Sequence, residues 1–119
     1  MKQIEAIIRT SKFDEVKRAL HEIDIDFFSY WDTTGVGNEK HKADRIYRGA
    51  IIDTETIPRR LLTIVVRDQN LRKTVDCILN AANTGEIGDG RIFVNTIDES
   101  WKIRNKTSGE ETLKGDHEN

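Results

Sequence analysis

The chain has 119 residues, of which 36% are hydrophobic and 34% charged, so we expect one small domain with a thin apolar core. Its formal net charge of −2 argues against a general nucleic-acid binder, which would present a basic face. Cys77 is the single cysteine, which excludes an internal disulfide; because the sequence also shows no signal peptide and no apolar run of membrane length, we expect a cytoplasmic protein.

The first two predicted elements are a strand and a helix. Ile4, Ala6 and Ile8 alternate with polar residues, which predicts a half-buried strand. Ser11 offers an N-cap for the helix that follows, and Asp14 falls in its first turn. The apolar stripe of this helix recurs at three- and four-residue spacing and consists of Phe13, Val16, Leu20 and Ile23.

Aromatic and β-branched residues predict a second strand at about residues 25–33. Phe27 and Trp31 lie on one face of this strand, and Phe28 and Tyr30 lie on the other. Apolar residues on both faces predict either a central strand or a strand whose outer face is covered by a second protomer.

Between Gly35 and Pro58 neither the helical nor the strand period is sustained. A loop of this length in a small domain is typical of a functional or a disordered segment. His41 in this loop and His21 on the first helix have no metal-ligand partner at a useful spacing, so we interpret both as surface histidines.

The second half of the chain repeats the order of the first. Residues 59–66 are the clearest strand, and Asp68 offers a cap for the next helix. The apolar stripe of that helix consists of Leu71, Val75, Ile78, Leu79 and Ala82. Strand, helix, strand, loop, strand, helix, strand is the order of an α+β, ferredoxin-like split βαβ (βαββαβ) sheet backed by two helices.

A glycine-rich stretch follows the second helix and reads Thr84-Gly85-Glu86-Ile87-Gly88-Asp89-Gly90-Arg91. Clustered glycines let backbone N–H groups converge on one anion, and Arg91 adds a forked, charge-assisted donor. A helix C-cap at Gly85 followed by a glycine-rich turn explains the same spacing. The run after Arg91 predicts a strand, and a further short strand is predicted around residues 101–104.

Three segments together resemble the PII nitrogen-regulatory signal-transduction family. T-G-E-I-G-D-G-R-I-F-V at residues 84–94 resembles its C-terminal signature, and I-Y-R-G-A at residues 46–50 resembles a block of its long T-loop. The opening M-K-Q-I-E-A-I-I-R is also similar. On this basis we assign residues 1–104 to one domain, with the T-loop at about residues 36–58. The resemblance implies a homotrimer, and we expect the polar residues 105–119 to form a flexible tail.

The resemblance also implies a site for ATP or ADP, with AMP as a third candidate, in clefts between protomers. The implied nucleotide-binding residues are Ser29, Gly35, Gly37, Asn38, Ile64, Gly88, Asp89, Gly90, Arg91, Lys102 and Arg104. The three cations among them suit a polyphosphate, because charge-assisted hydrogen bonds are the strong ones. Without the resemblance, Lys102 and Arg104 are better explained as outward residues of an edge strand.

The T-loop base departs from the family pattern. The family's G-x-G-R-Q-K-G appears here as G-V-G-N-E-K-H, so Asn38 replaces a phosphate-facing arginine. Glu39 replaces the glutamine that helps to hold Mg²⁺ and 2-oxoglutarate in the family. The implied effector residues are Glu39, Lys40 and Arg59, with Glu39 as the side chain nearest a nucleotide-bound Mg²⁺. We expect weak or absent 2-oxoglutarate binding.

The resemblance implies a non-catalytic regulator whose T-loop residues Tyr47, Arg48, Gly49 and Ile52 contact a target, an ammonium transporter or a nitrogen-metabolism enzyme. Ile52 aligns with a tyrosine that some members uridylylate, and isoleucine has no hydroxyl group to modify. Two alternatives are a small enzyme that acts on a phosphorylated metabolite and a metal- or RNA-binding ferredoxin-like module. No nucleophile–base pair stands out for the first, and Cys/His clusters and interleaved basic and aromatic residues are missing for the second.

Overall fold

The computed structural model describes residues 1–37, 46–47, 50–51 and 55–114. The first elements are strand β1 (Lys2–Arg9), helix α1 (Phe13–Glu22) and strand β2 (Ser29–Gly37). Two short strands, β3 (Ile46–Tyr47) and β4 (Ala50–Ile51), pair with each other. Strand β5 (Glu55–Val66), helix α2 (Leu71–Ala82) and strand β6 (Gly90–Thr96) complete the main elements, and 3-10 turns lie at Thr10–Lys12, Asp68–Asn70 and Gly109–Leu113.

The four long strands form one sheet in the order β2-β5-β1-β6, with every neighbouring pair antiparallel. The two helices contact each other and cover one face of this sheet. The predicted α+β, ferredoxin-like split βαβ order is therefore confirmed. No helix in the described part of the chain has the length and apolar character needed to cross a bilayer.

The core lies between the sheet and the helices. On β1 the residues Ile4, Ala6 and Ile8 are buried, as the alternation predicted. Phe13, Val16 and Leu20 of the predicted α1 stripe are buried, whereas Ile23 lies just after the helix and is partly buried. The complete core consists of Ile4, Ala6, Ile8, Phe13, Val16, Leu20, Leu62, Ile64, Val66, Ile78 and Ala82. Alternation along β1 thus directs one side of the strand towards the helices, which is why the pattern could be read from the sequence.

The predicted helix caps are wrong. Ser11 and Asp68 each lie in a 3-10 turn that leads into the helix, and neither helix has a side-chain cap hydrogen bond. Each 3-10 turn runs directly into its helix. The N-cap residue of the helix is therefore the last residue of the turn, which is Lys12 for α1 and Asn70 for α2. Asp68 instead accepts a hydrogen bond from the amino group of Met1 at 2.9 Å.

Strand β2 begins later than predicted, at Ser29 instead of residue 25. Asp24 adopts a positive φ of 64°, and the N–H of Ile25 donates to the carbonyl of Leu20 at 2.9 Å, so the chain turns after α1 before it extends. Ile25 packs on the core from this irregular segment, whereas Phe27 is 90% exposed. Strand propensity here reflects packing, and not backbone pairing.

The predicted strand at residues 101–104 is also wrong. Trp101 forms one isolated bridge with Ser108, and between them the N–H of Lys102 donates to the carbonyl of Thr107 at 2.8 Å. Lys106 has a positive φ of 62°, which reverses the chain. The residues from 105 to 114 therefore form a turn and a 3-10 segment.

The sheet face opposite the helices is partly apolar and is not covered within the described part of the chain. Trp31, Leu61 and Ile7 form one row across three strands. Trp31 is 50% and Phe93 49% exposed on this side of the sheet. Elsewhere, on helix α2, Leu79 was predicted in the buried stripe but is half exposed. Apolar surface of this extent is typical of a protein that buries it against another chain.

Candidate functional site

The glycine-rich loop connects the end of α2 to the start of β6. Gly85, Gly88 and Gly90 have positive φ angles of 84°, 99° and 108°. These values lie in the region that glycine adopts without steric cost. Helix α2 ends at Ala82 with Asn83 in an extended conformation, so Gly85 is not its cap. The glycines shape the loop itself, and the helix C-cap explanation of this stretch is wrong.

The carboxylate of Asp89 is the centre of this loop. It accepts hydrogen bonds from the backbone N–H of Thr84 (2.8 Å), from the backbone N–H of Gly85 (3.0 Å) and from the Thr84 hydroxyl. The N–H of Glu86 donates in turn to the Thr84 hydroxyl oxygen at 3.1 Å. The first half of the loop is thus folded around an anion that the chain supplies itself.

The hydrogen bond from the Thr84 hydroxyl, with those from the Thr84 N–H and the Arg9 guanidinium, holds the pKa of Asp89 well below its usual range. Asp89 is therefore a carboxylate at neutral pH. The resemblance implies Asp89 at the nucleotide, and its side-chain oxygens accept hydrogen bonds from the loop's own donors and from Arg9. The Asp89 carboxylate therefore organises the loop, and its contact with a nucleotide stays a prediction.

Arg9 was missed by the sequence analysis. Its Nε lies 2.9 Å from the Asp89 carboxylate, and its Nη2 donates to the Ile87 carbonyl at 2.9 Å. In the sequence Arg9 is only a polar residue at the end of a predicted strand. Its contact with the loop could have been predicted only from the strand pairing, because the register that places Ile8 opposite Gly90 brings the end of β1 to the loop.

Gly90 is the point of closest approach between the loop and the sheet. A Cβ atom built on Gly90 would lie 1.8 Å from the carbonyl oxygen of Ile7. Any side chain at this position would therefore overlap the backbone of β1. The absence of a Cβ lets β6 begin directly against β1 and sets the position of the next residue, Arg91.

Arg91 is one of the residues that line a cavity of about 170 Å³ between the end of α2 and the strands β1 and β6. Most of the residues that line this cavity are apolar, and the complete lining is Ile7, Ile8, Ile78, Leu79, Ala82, Asn83, Asp89, Gly90, Arg91 and Ile92. An apolar cavity with an exposed arginine beside it can hold a ligand that has an apolar part and an anionic part.

A second cavity, of about 240 Å³, lies where β2 and β5 leave the body of the sheet. Arg59, the predicted effector residue, lines it with Asp32 and Pro58. Arg59 is only 8% exposed, and its Nη1 donates to the Pro58 carbonyl at 3.2 Å. Next to it the strands stay paired as far as Gly37 and Glu55, so both strands extend further than the sequence pattern predicted.

The described chain does not gather the predicted nucleotide residues into one pocket. Gly35 lies on edge strand β2, whereas Gly90 and Arg91 lie on the opposite edge strand β6. Three strand spacings separate these edges, which is about 14 Å. Ser29 lies at the start of β2, opposite Thr63 and away from the glycine-rich loop.

Lys102 and Arg104 lie at the other end of the sheet. Arg91 is opposite Ile7 on β1, but the segment after β6 returns to the start of β1, where the N–H of Ile97 donates to the Met1 carbonyl at 3.0 Å. Six residues of extended strand separate these two positions, which is about 20 Å. Lys102 Nζ donates to the carbonyl of Lys114 at 2.8 Å.

Ile64, which the resemblance implies at the nucleotide, has its side chain in the core between the sheet and the helices, where it is 1% exposed. A contact between this residue and a ligand would have to use its backbone, and its place at the nucleotide stays a prediction. The apolar character that suited an adenine contact in the sequence is equally that of a core residue.

Several predicted positions lie outside the described residues: Asn38, Glu39, Lys40, Arg48, Gly49 and Ile52. His41 lies there as well. Tyr47 belongs to β3 and Gly37 to β2, and for these two the description is of the backbone. His21 is on the surface as predicted, and its Nδ1 lies 2.5 Å from Asp26, which raises the pKa of the imidazole above its usual value.

The chain is similar to known proteins over nearly its whole length. A family model described as nitrogen regulatory protein P-II matches residues 1–107. A nitrogen regulatory protein P-II from Bradyrhizobium diazoefficiens is 42% identical over 109 residues, which covers 92% of this chain and 96% of that protein. Proteins of the same name from Rhodospirillum rubrum (39% over 113 residues, 95% and 100% covered) and Microchaete diplosiphon (41% over 104 residues, 87% and 92% covered) are also similar.

Proposed function

Because the chain belongs to the nitrogen regulatory protein P-II family, we propose that it senses adenine nucleotides in clefts between protomers and controls a target protein through its T-loop. The family's members are signal-transduction regulators and not enzymes, so the chain is a nitrogen regulator. Because the chain belongs to this family, we do not retain the two alternative functions, a small enzyme and a metal- or RNA-binding module.

The observation that carries the nucleotide proposal is the glycine-rich loop with Arg91 beside an apolar cavity. The cavity offers walls for a base, and the second half of the loop with Arg91 offers donors for the phosphate chain of ATP or ADP. A bound Mg²⁺ would be held through the phosphates. Lys102 and Arg104 would supply further positive charge to the phosphates, but from a neighbouring chain.

The expected target is an ammonium transporter or a cytosolic enzyme of nitrogen metabolism, contacted through Tyr47, Arg48, Gly49 and Ile52. A cytoplasmic location follows from this role. Family membership supports regulatory contact with a target protein, and the particular target is part of the proposal.

The spacing of the site residues supports a ring-shaped homotrimer. The chain carries one set of donors at the glycine-rich loop and another about 20 Å away at the start of β1. A contact that joins one end of a sheet to the other end of a neighbour uses two different surfaces, and such contacts close into rings. The uncovered apolar face with Trp31 and Phe93 would be buried in the same assembly.

We expect multi-angle light scattering to give a mass three times that of the 13.7 kDa chain across micromolar concentrations. Trp31→Glu should shift this mass towards the monomer, because a carboxylate on the apolar face would have to be desolvated in the assembly. A monomeric mass for the unaltered protein would contradict the trimer, and with it the completion of the site by a neighbour.

Arg91→Ala should weaken ATP binding by about 2 kcal/mol, or roughly thirtyfold, as for the loss of a charge-assisted hydrogen bond. Isothermal calorimetry with ATP measures this change. Arg72→Ala is the matched control, because Arg72 is an exposed cation on α2 whose described ion pair is with Asp76 on the same helix. Equal affinities of the Arg91 variant and the unaltered protein would mean that the loop is only a turn.

We expect 2-oxoglutarate to bind weakly or not at all, because Glu39 places a carboxyl group where the family has a neutral glutamine. Two like charges 4 Å apart repel by roughly 4 kcal/mol at an effective dielectric of 20. A carboxylate can also coordinate Mg²⁺ and take the position that the ligand needs. Glu39→Gln should therefore raise 2-oxoglutarate affinity at least about tenfold in calorimetry with MgATP present.

The alternative is that Glu39 turns towards solvent and Arg59 alone holds the ligand. Tight 2-oxoglutarate binding by the unaltered protein, or no gain in Glu39→Gln, would establish that alternative. Glu55→Gln serves as the control for the loss of one negative charge, since Glu55 begins β5 directly opposite Gly37.

A further inference from the structure

We propose that Arg9 is the positioning residue of the phosphate-binding loop: by joining the Asp89 carboxylate to the Ile87 carbonyl, it fixes the shape in which Gly88 to Arg91 face a nucleotide's phosphate chain. This inference rests on the proposed nucleotide function, and it assigns a role to a residue on a different strand from the loop.

The Arg9 guanidinium contacts the loop on both sides of Gly88. Two different nitrogens of one guanidinium reach two loop positions, with both distances at 2.9 Å. The contacts flank Gly88, whose φ of 99° reverses the backbone between them. A planar guanidinium holds such a pair of acceptors in a fixed relative position, whereas an ammonium group acts as a point charge. Arg9 therefore constrains the turn at Gly88 from both sides.

Arg9 is attached to a central strand of the sheet. It is the last residue of β1, a strand that pairs with β5 on one side and β6 on the other. The loop enters β6 at Gly90, directly opposite Ile8. The Arg9 side chain, attached to the sheet, thus holds a loop that contains three glycines with positive φ. Glycine loses more conformational freedom on ordering than any other residue, so this loop needs such a support.

The positive charge of Arg9 compensates the negative charge of Asp89. Asp89 is ionised and lies between Gly88 and Gly90, beside the part of the loop that would receive phosphates. An unpaired carboxylate there would repel a polyphosphate. The Arg9 and Asp89 side chains are 28% and 23% exposed, so their ion pair is only partly screened by solvent. Arg9 thus neutralises the loop's internal anion while leaving Arg91 to face the ligand.

The test compares Arg9→Met, Arg9→Lys and the unaltered protein by calorimetry with ATP and with adenosine, which lacks phosphates. Arg9→Met should weaken ATP binding about tenfold and change adenosine binding less than about twofold. Arg9→Lys should recover part of the ATP affinity, since it restores the charge but not the two-nitrogen contact. Lys17→Met, on the surface of α1, is the control for the loss of a cation.

An equal loss for ATP and adenosine, or unchanged ATP affinity in Arg9→Met, would overturn the positioning role. Amide hydrogen exchange of residues 84–90 separates this failure from that of the proposed function. If the unaltered protein binds no ATP, the nucleotide proposal fails; faster exchange of the loop in Arg9→Met then still supports the positioning role, and unchanged exchange overturns it. If Arg9→Met does not fold, Arg9→Lys carries the same comparison.

Discussion

Gly90→Ala should destabilise the protein by about 3 kcal/mol or more, the range of substitutions that force backbone strain and steric overlap. The new Cβ would lie 1.8 Å from the Ile7 carbonyl oxygen, at a φ of 108° that side chains rarely adopt. Relief would require β6 to move away from β1, and the ladder between these strands runs from Ile8 and Gly90 to Lys2 and Thr96. The overlap is with backbone, so no rotamer change removes it.

Urea denaturation followed by circular dichroism measures this loss, with the protein concentration held constant because an oligomer's stability depends on it. Gly85→Ala is the matched control. Gly85 also has a positive φ, of 84°, but a Cβ there would meet nothing within 4 Å. It should lose only about 1 kcal/mol from backbone strain. Equal losses in the two variants would mean that the approach of Gly90 to Ile7 does not limit stability.

The same contrast shows what the sequence could reveal about this loop. Three glycines in six positions predicted an unusual backbone, and each of them has a positive φ. Which glycine faces open space and which meets a neighbouring strand depends on the pairing of β1 with β6. That pairing joins residues more than 80 positions apart, so it could not be predicted from the local sequence pattern.

The fold was predictable because each main element buries one periodic apolar face. Ile4, Ala6 and Ile8 alternate on β1, and Val16 and Leu20 recur on α1, and all five are buried. The period of the apolar residues shows whether an element is a strand or a helix and which of its faces is buried. These two properties determine the fold class. Element order then restricted the topology to the split βαβ arrangement.

The errors arose where local propensity competed with tertiary contacts. Ser11 and Asp68 have good capping side chains, but 3-10 turns lead into both helices. Arg9 was missed because its partner Asp89 is 80 residues away in the chain. Lys102 was predicted on a strand, and it lies instead in a turn closed by Thr107.

The family resemblance implies Ile64 at the nucleotide, and in the structure its side chain lies in the core. Ile64→Ala should cost about 2–5 kcal/mol of folding free energy, because the fully buried side chain would leave a cavity beneath both helices. Ile64→Val should cost about 1 kcal/mol.

Ile64 stands opposite Ile4 on β1, and both side chains are buried on the helix side of the sheet. A ligand at the sheet's edge could reach only the backbone of this residue. Ile64→Val should therefore leave ATP affinity within about twofold of the unaltered protein while lowering the urea midpoint. Ile103→Val, at a side chain that is 95% exposed, is the control and should change neither quantity. A tenfold loss of ATP affinity in Ile64→Val, with no change in the urea midpoint, would mean that the Ile64 side chain contacts the nucleotide. A lowered urea midpoint with normal ATP affinity would establish that the side chain acts in the core.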